Sequence, residues 1–187
     1  MILPELNLAN HFLIAMPSMR DQIFGGAVIY LCEHNAGGAL GVIINKPTDM
    51  SMDDLFERIE LEQHLPMADK PVMYGGPVQE DRGFVLHTPL GAFSSSMTVT
   101  DQIAFTTSRD VLEAIAAGQG PQRFLASVGY AGWSEGQLED EIGRNGWLTV
   151  AADPAILFDV PLEARYEAAI KLLGIDPMML TSEAGHA

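Results

Sequence analysis

Cys32 and His34 are the residues whose types and spacing best suit chemistry. Side chains two apart on a strand share a face, and the run Tyr30-Leu31-Cys32-Glu33-His34-Asn35 has a strand's composition. A histidinium beside a thiol lowers its pKa and raises the thiolate fraction. The glycine turn that follows, Gly37-Gly38, brings backbone N–H groups of the kind that hold anions. Together they describe a nucleophilic or redox-sensing thiol. Burial is the competing account and the favoured one, because a lone cysteine is usually inert packing. Glu33 projects to the other face and gives no direct help.

The remaining titratable residues form no recognisable site. His11, His34, His64, His87 and His186 are far apart and make neither an H-E-x-x-H nor a Cys/His ligand spacing, so no metal site is expected. Asp21, Asp53, Asp54, Glu80 and Asp81 are explained as solvated faces of an acidic chain. Gly37-Gly38-Ala39-Leu40-Gly41 lacks the G-x-G-x-x-G spacing and leads into a strand, which leaves pyrophosphate without a helix N-terminus. There is no G-K-[ST] and no G-x-S-x-G elbow, and Ser94-Ser95-Ser96 reads as a polar loop. No cofactor is expected.

Charge narrows the partners. With 25 acidic and 10 basic residues the chain carries a formal net charge of −15. Such a field repels phosphate backbones, and the basic residues are scattered, so direct nucleic-acid binding is disfavoured, as is an anionic membrane. One cysteine makes no internal disulfide, and the first 19 residues carry no Lys or Arg to begin a signal peptide. No apolar run approaches the roughly 18 residues of a spanning helix. A cytoplasmic protein with no membrane association is the expectation.

Glycine-rich turns between apolar runs mark the elements that must position any site. Strands are predicted at His11 to Met16, Ala27 to Glu33, Leu40 to Asn45, Pro71 to Tyr74, Gly83 to His87 and Arg123 to Tyr130. Met97 to Val99, Ile103 to Thr106, Trp147 to Val150 and Ile156 to Phe158 are further strands. Ser51 to Ile59 has Met52, Leu55, Phe56 and Ile59 at helical spacing behind a Ser51 N-cap. Capping-box patterns at Thr107-Ser108-Arg109-Asp110 and Ser134-Glu135-Gly136-Gln137 open two more helices, ending at Gly118 and near Asn145-Gly146. A last helix runs from about Leu162 to Gly174, and Glu60 to Lys70 is a loop. Hairpin-like strands early and helices later predict an α+β fold with a β-barrel-like, mostly antiparallel sheet core flanked by helices. Residues 1–176 read as one domain, and residues 177–187 as a disordered tail.

Nine motifs in order carry a family resemblance. They are His11-Phe12-Leu13-Ile14-Ala15-Met16-Pro17, Cys32-Glu33-His34-Asn35, Gly38-Ala39-Leu40-Gly41, Asn45-Lys46-Pro47, Gly75-Gly76-Pro77, Asp81-Arg82-Gly83-Phe84-Val85-Leu86-His87, Thr106-Thr107-Ser108-Arg109-Asp110, Gly129-Tyr130-Ala131-Gly132-Trp133 and Gly136-Gln137-Leu138-Glu139. Across essentially the whole chain this resembles the YqgE/AlgH family of bacterial proteins. The resemblance implies a cytosolic α+β protein with a barrel-like core and no established catalytic activity, some members being labelled transcriptional regulators of alginate synthesis. One departure is Gly25-Gly26-Ala27, where the family usually places basic residues and a serine.

The function expected is therefore binding or regulation without catalysis, toward an unknown protein or small molecule. A thiol-dependent enzyme or redox sensor using Cys32 is the alternative, and a transcriptional regulator is disfavoured by charge. Candidate ligand-binding residues are those of the glycine turns and the polar or aromatic residues beside them: Gly37, Gly38, Asn45, Gly75, Gly76, Trp133, Gln137 and Asn145.

Overall fold

The apolar, β-branched runs form strands that pair mostly antiparallel. A computed structural model describes residues 7–174. The strands in chain order are β1 (His11–Ala15), β2 (Val28–Asn35), β3 (Gly38–Ile43), β4 (Pro47–Ser51), β5 (Pro71–Tyr74), β6 (Val78–Thr88), β7 (Ser96–Thr98), β8 (Ala104–Thr106), β9 (Arg123–Ser134) and β10 (Trp147–Ala151). The helices are α1 (Met52–Arg58), α2 (Asp110–Ala116), α3 (Gln137–Gly143), α4 (Pro154–Phe158) and α5 (Arg165–Leu172). The fold is α+β, as the strand and helix patterns predict. The described residues form two compact units: one holds residues 7–45 and 131–174, the other Lys46–Tyr130. The expected tail at 177–187 lies outside the described residues.

In the first unit the order is β10-β1-β2-β3-β9, every pair antiparallel. β1 is buried on both faces from Phe12 to Ala15, which explains its unbroken apolar sequence. Ala169 and Ile170 of α5 are fully buried, and from the same helix the Tyr166 hydroxyl donates to Ala15 O. Arg165, 7% exposed, donates to Ile44 O and Val160 O, so a buried guanidinium fastens loop carbonyls. Ala39 pairs with Trp133 and Ala15 with Trp147, and these two registers place the chain's two tryptophans.

In the second unit β9 has β5 parallel on one side and β6 antiparallel on the other, and β8 and β7 follow β6. Met52, Leu55 and Phe56 of α1 meet Val111, Leu112 and Ile115 of α2 in one core with Val72, Val85 and Ala126. Ser51 is the N-cap as read, and the structure adds the other half of a capping box: Asp54 N–H donates to Ser51 Oγ at 3.2 Å, and Ser51 N–H donates to Asp54 Oδ2 at 2.9 Å. α2 ends in a Schellman arrangement at Gly118 (φ +77°), with Gln119 N–H donating to Ala114 O.

Three local readings are corrected, and one strand is added. Ile156 to Phe158 is part of helix α4: Asp153 accepts from Ala155 N–H and Pro154 fills the first turn, a start signal that outweighs three apolar residues. Pro47–Ser51 is a strand that its polar composition hides. Neither α2 nor α3 has a side-chain N-cap. Asp110 opens α2 and binds Ser94 and Ser108 instead, and of the α3 box only the Gln137 half forms, Gln137 Oε1 accepting from Ser134 N–H.

Glycine matters most where backbones cross. At Gly129 (φ +75°) a Cβ would sit 2.1 Å from Gly76 O, and at Gly75 one would sit 2.3 Å from Gly129 O. Both the left-handed conformation and the space exclude a side chain at Gly129. Gly136 shares the φ of +75° but has nothing within 4 Å. Gly136→Ala should therefore cost about 1 kcal/mol of stability in urea unfolding, the strain alone. Gly129→Ala should cost more than about 3 kcal/mol, since backbone must also move; equal costs would contradict the crossing.

Candidate binding cleft

A β-bulge sets the environment of Cys32. Leu31 pairs with Gly41 and Glu33 with Leu40, so Cys32 is the extra residue of β2. It is 3% exposed, its Sγ lies 3.9 Å from Tyr30 O, and burial followed by the Glu33 charge pushes the thiol's pKa far up. His34, also buried, is engaged at both nitrogens: Leu8 N–H donates to Nδ1 at 3.0 Å, and Nε2 lies 2.9 Å from Glu139 Oε1. Because Nδ1 accepts, the hydrogen sits on Nε2 and donates to the carboxylate. That ring is a neutral donor to Glu139, not a histidinium beside a thiol. The arrangement favours the protonated, packed cysteine.

The polar and aromatic candidates near the end of β9 do converge. Trp133 is the last residue but one of β9, Trp147 opens β10, and Gln137 begins α3. One carboxylate joins them: Glu141 Oε1 accepts from Trp133 Nε1 and from Trp147 Nε1, each at 3.0 Å, while Oε2 accepts from Gln137 Nε2 at 2.9 Å. Gln137 and Glu141 are four apart, so they share a helix face. Buried indoles need an acceptor for their N–H, and this side chain serves both.

Phe24 completes the aromatic wall. Its ring centroid lies 5.8 Å from that of Trp147, at 76°, and 6.5 Å from that of Trp133; the two indoles are 6.4 Å apart at 78°. The Phe24–Trp147 and Trp133–Trp147 pairs are edge-to-face and contribute about 0.5–1.5 kcal/mol each beyond burial, while Phe24 and Trp133 are tilted at 30°. The turn that carries Phe24 is tight: Asp21 Oδ1 accepts from Ile23 and Phe24 N–H, and Gly25 N–H donates to Asp21 O at 2.9 Å. A Cβ at Gly25 would lie 2.7 Å from that carbonyl. Gly25, which the sequence presents as a loss of charge, is thus what lets the turn close. The rings, with Asp21, Glu141 and Arg144, line a cavity of about 450 Å³.

The other candidates have structural partners. Gly37 N–H donates to Asn35 Oδ1 at 2.7 Å in the β2–β3 turn, and Gly38 (φ +137°) passes where a Cβ would lie 2.2 Å from Trp133 O. Asn45 Oδ1 accepts from Val28 N–H and its amide donates to Gly26 O, fixing the start of β2. Gly75 and Gly76 belong to the crossing with Gly129. Asn145 (φ +60°) stops α3, allowing Gly146 N–H to reach Glu141 O. Among the described residues no three His, Cys, Asp or Glu side chains gather to hold a metal ion, and no helix is long and apolar enough to cross a membrane. His186 lies outside them.

The sequence reading missed Glu141 and Phe24, and it also missed a buried polar chain in the second unit. His87 is fully buried; Nδ1 lies 2.9 Å from Pro89 O and Nε2 2.6 Å from Thr106 Oγ1, which is 2.9 Å from Ser96 Oγ. Pro89 O only accepts, so Nδ1 bears the hydrogen and Nε2 accepts from the Thr106 hydroxyl. Burial, partly opposed by the Pro89 bond, lowers the His87 pKa below the ordinary 6.5.

In acid the unfolded chain therefore takes up this proton before the folded one, and stability falls as pH drops below about 6.5. Unfolding of wild type and His87→Gln should show wild type's advantage shrinking by up to about 1.4 kcal/mol per pH unit between pH 6.5 and 5. A constant difference would contradict the neutral, buried ring.

Known proteins share this chain's length and fold. A family model described as AlgH-like matches residues 12–178. A UPF0301 protein of Ralstonia nicotianae is 61% identical over 183 residues, spanning 97% of this chain and 96% of its own. One from Burkholderia mallei is 58% identical over 186 residues, 98% of this chain and 97% of its own. The solution structure of the AlgH protein from Pseudomonas aeruginosa matches with a TM-score of 0.81 at 46% identity, covering 100% of both chains. A crystal structure from Corynebacterium diphtheriae, at 21% identity, TM-score 0.63 and coverage of 83% and 81%, shares the fold. By the span of the family match and the identity of these relatives, the chain belongs to the AlgH-like family.

Proposed function

We propose that this protein works without catalysis, as a cytoplasmic binding or regulatory protein that takes a small molecule into the Phe24–Trp133–Trp147 cleft. The observation that carries the reading is the Glu141 carboxylate, which holds both indoles and the Gln137 amide in one arrangement before any ligand arrives. Preorganised aromatic walls with a few placed polar groups are what ligand pockets use, and about 450 Å³ falls in their usual size range.

The alternatives have less support. A thiol-dependent reaction at Cys32 would need a thiolate in a site where burial favours the thiol. Direct DNA binding by a regulator would have to overcome a formal charge of −15. Gln137 stands exposed at the rim and Phe24 is partly buried, so both can be altered with modest structural cost.

Native mass spectrometry of protein purified from its own cells tests the reading. A bound small molecule should accompany wild type and fall at least tenfold in occupancy in Phe24→Ala and Gln137→Ala. A wild type that carries no bound molecule, or variants that keep it undiminished, would contradict the assignment.

A further inference from the structure

We propose that Ser96, in the second unit, is an acyl-acceptor site whose hydroxyl takes an acyl group from a thioester, as a stoichiometric modification independent of the binding reading above. Ser94, Ser95 and Ser96 are all exposed, but of the three it is Ser96 that is joined to a buried base. His87 Nδ1 gives its hydrogen to Pro89 O, so Nε2 accepts from Thr106 Oγ1 at 2.6 Å. With the Thr106 hydrogen so committed, Thr106 Oγ1 accepts from the Ser96 hydroxyl, 2.9 Å away. Both hydroxyls therefore donate inward. The chain of bonds runs from a solvent-facing oxygen to a neutral imidazole, and strand register builds it: Ser96 faces Thr106 across β7–β8, beside the β6–β8 pair of His87 and Ala104.

That order of donors suits Ser96 to nucleophilic attack. As Ser96 Oγ bonds to the thioester carbonyl carbon, its proton passes to Thr106 and the Thr106 proton to His87 Nε2. When the carbon–sulfur bond breaks, the departing sulfur takes a proton from Thr106, and His87 returns its own to Thr106. A serine ester, a free thiol and a neutral ring remain. The backbone supplies a donor for the developing oxyanion. Thr107 N–H donates to Ser95 O and Val99 N–H to Ile103 O, so the β7–β8 ladder bonds fall on Ser95, Met97 and Val99 and the Ser96 N–H is turned away from β8. Because β7 ends the sheet order, a carbonyl oxygen can approach that N–H from the open edge. Charge favours acyl over phosphoryl transfer. The groups bonded to Ser96, Thr106 and His87 are uncharged, and neighbouring Ser94 binds the Asp110 carboxylate, so none of them supplies the cation a phosphoryl group needs.

N,S-Diacetylcysteamine, a small acetyl thioester, is incubated with the full chain, and site-resolved mass spectrometry follows acetylation of Ser95 and Ser96 between pH 7 and 8. Ser96 should be acetylated at least tenfold faster than Ser95. Its rate should stay nearly constant, since His87 is neutral throughout that range, while the Ser95 rate climbs with hydroxide by about tenfold per pH unit. Thr106→Val, which breaks the chain of hydroxyls, should bring Ser96 down to the Ser95 rate and pH dependence, and Thr106→Ser should keep the wild-type behaviour. The two serines are compared within wild type, so the test stands even where Thr106→Val fails to fold. Ser96 reacting no faster than Ser95, or rising in parallel with it, overturns the acceptor site. A folded Thr106→Val chain that keeps the wild-type rate at Ser96 overturns the relay from His87.

Discussion

The bond on which the first unit's site depends is the shared acceptance of two indole N–H groups by Glu141. Trp133 and Trp147 are 7% and 4% exposed, so neither can turn its N–H to bulk water without unpacking. A buried donor left without a partner costs about 1–3 kcal/mol, and one carboxylate removes that cost twice. It does so from α3, between the end of β9 and the start of β10, and so ties a helix to two strands that enter the sheet far apart in order. Gln137, one turn earlier, fixes the second oxygen. The cleft is a consequence of this tie.

Backbone proximity is the second constraint, and it accounts for most of the glycine motifs. Gly38 against Trp133 O, and Gly75 and Gly129 at their mutual crossing, occupy places where a Cβ would fall within about 2.3 Å of a carbonyl oxygen. Turns that resemble anion nests in sequence are consumed here by chain crossings and by a strand register. Gly25 differs in kind, because the turn it permits brings an aromatic ring to the site.

Much of the fold is legible because local signals and tertiary demands agree. Phe12 to Ala15 and Val28 to Leu31 are apolar without interruption and are buried without interruption. The Ser51 N-cap and the Gly118 stop are written by residues a few positions apart, so a local reading suffices. It fails where a short apolar run is ambiguous: Ile156 to Phe158 fits a strand until Asp153-Pro154 is weighed as a helix start. The site was legible in part, for Trp133 and Gln137 announce themselves by type. Glu141 is one acid among 25, and its role depends on Trp147, which reaches it only through the β1–β10 register. Cys32 and His34 share a strand as read, yet the bulge at Cys32 and the Leu8 and Glu139 bonds at His34 give each a separate set of partners.

The most direct measurement is the hydrogen-exchange rate of the two indole Nε1 protons, which give two nitrogen–proton resonances in a chain with two tryptophans. Both should exchange at least a hundredfold more slowly than a free indole, and both should accelerate together in Glu141→Gln, whose amide keeps the shape of the acceptor but not its charge. Independent rates, with one indole unaffected by that substitution, would contradict the shared carboxylate on which the cleft rests.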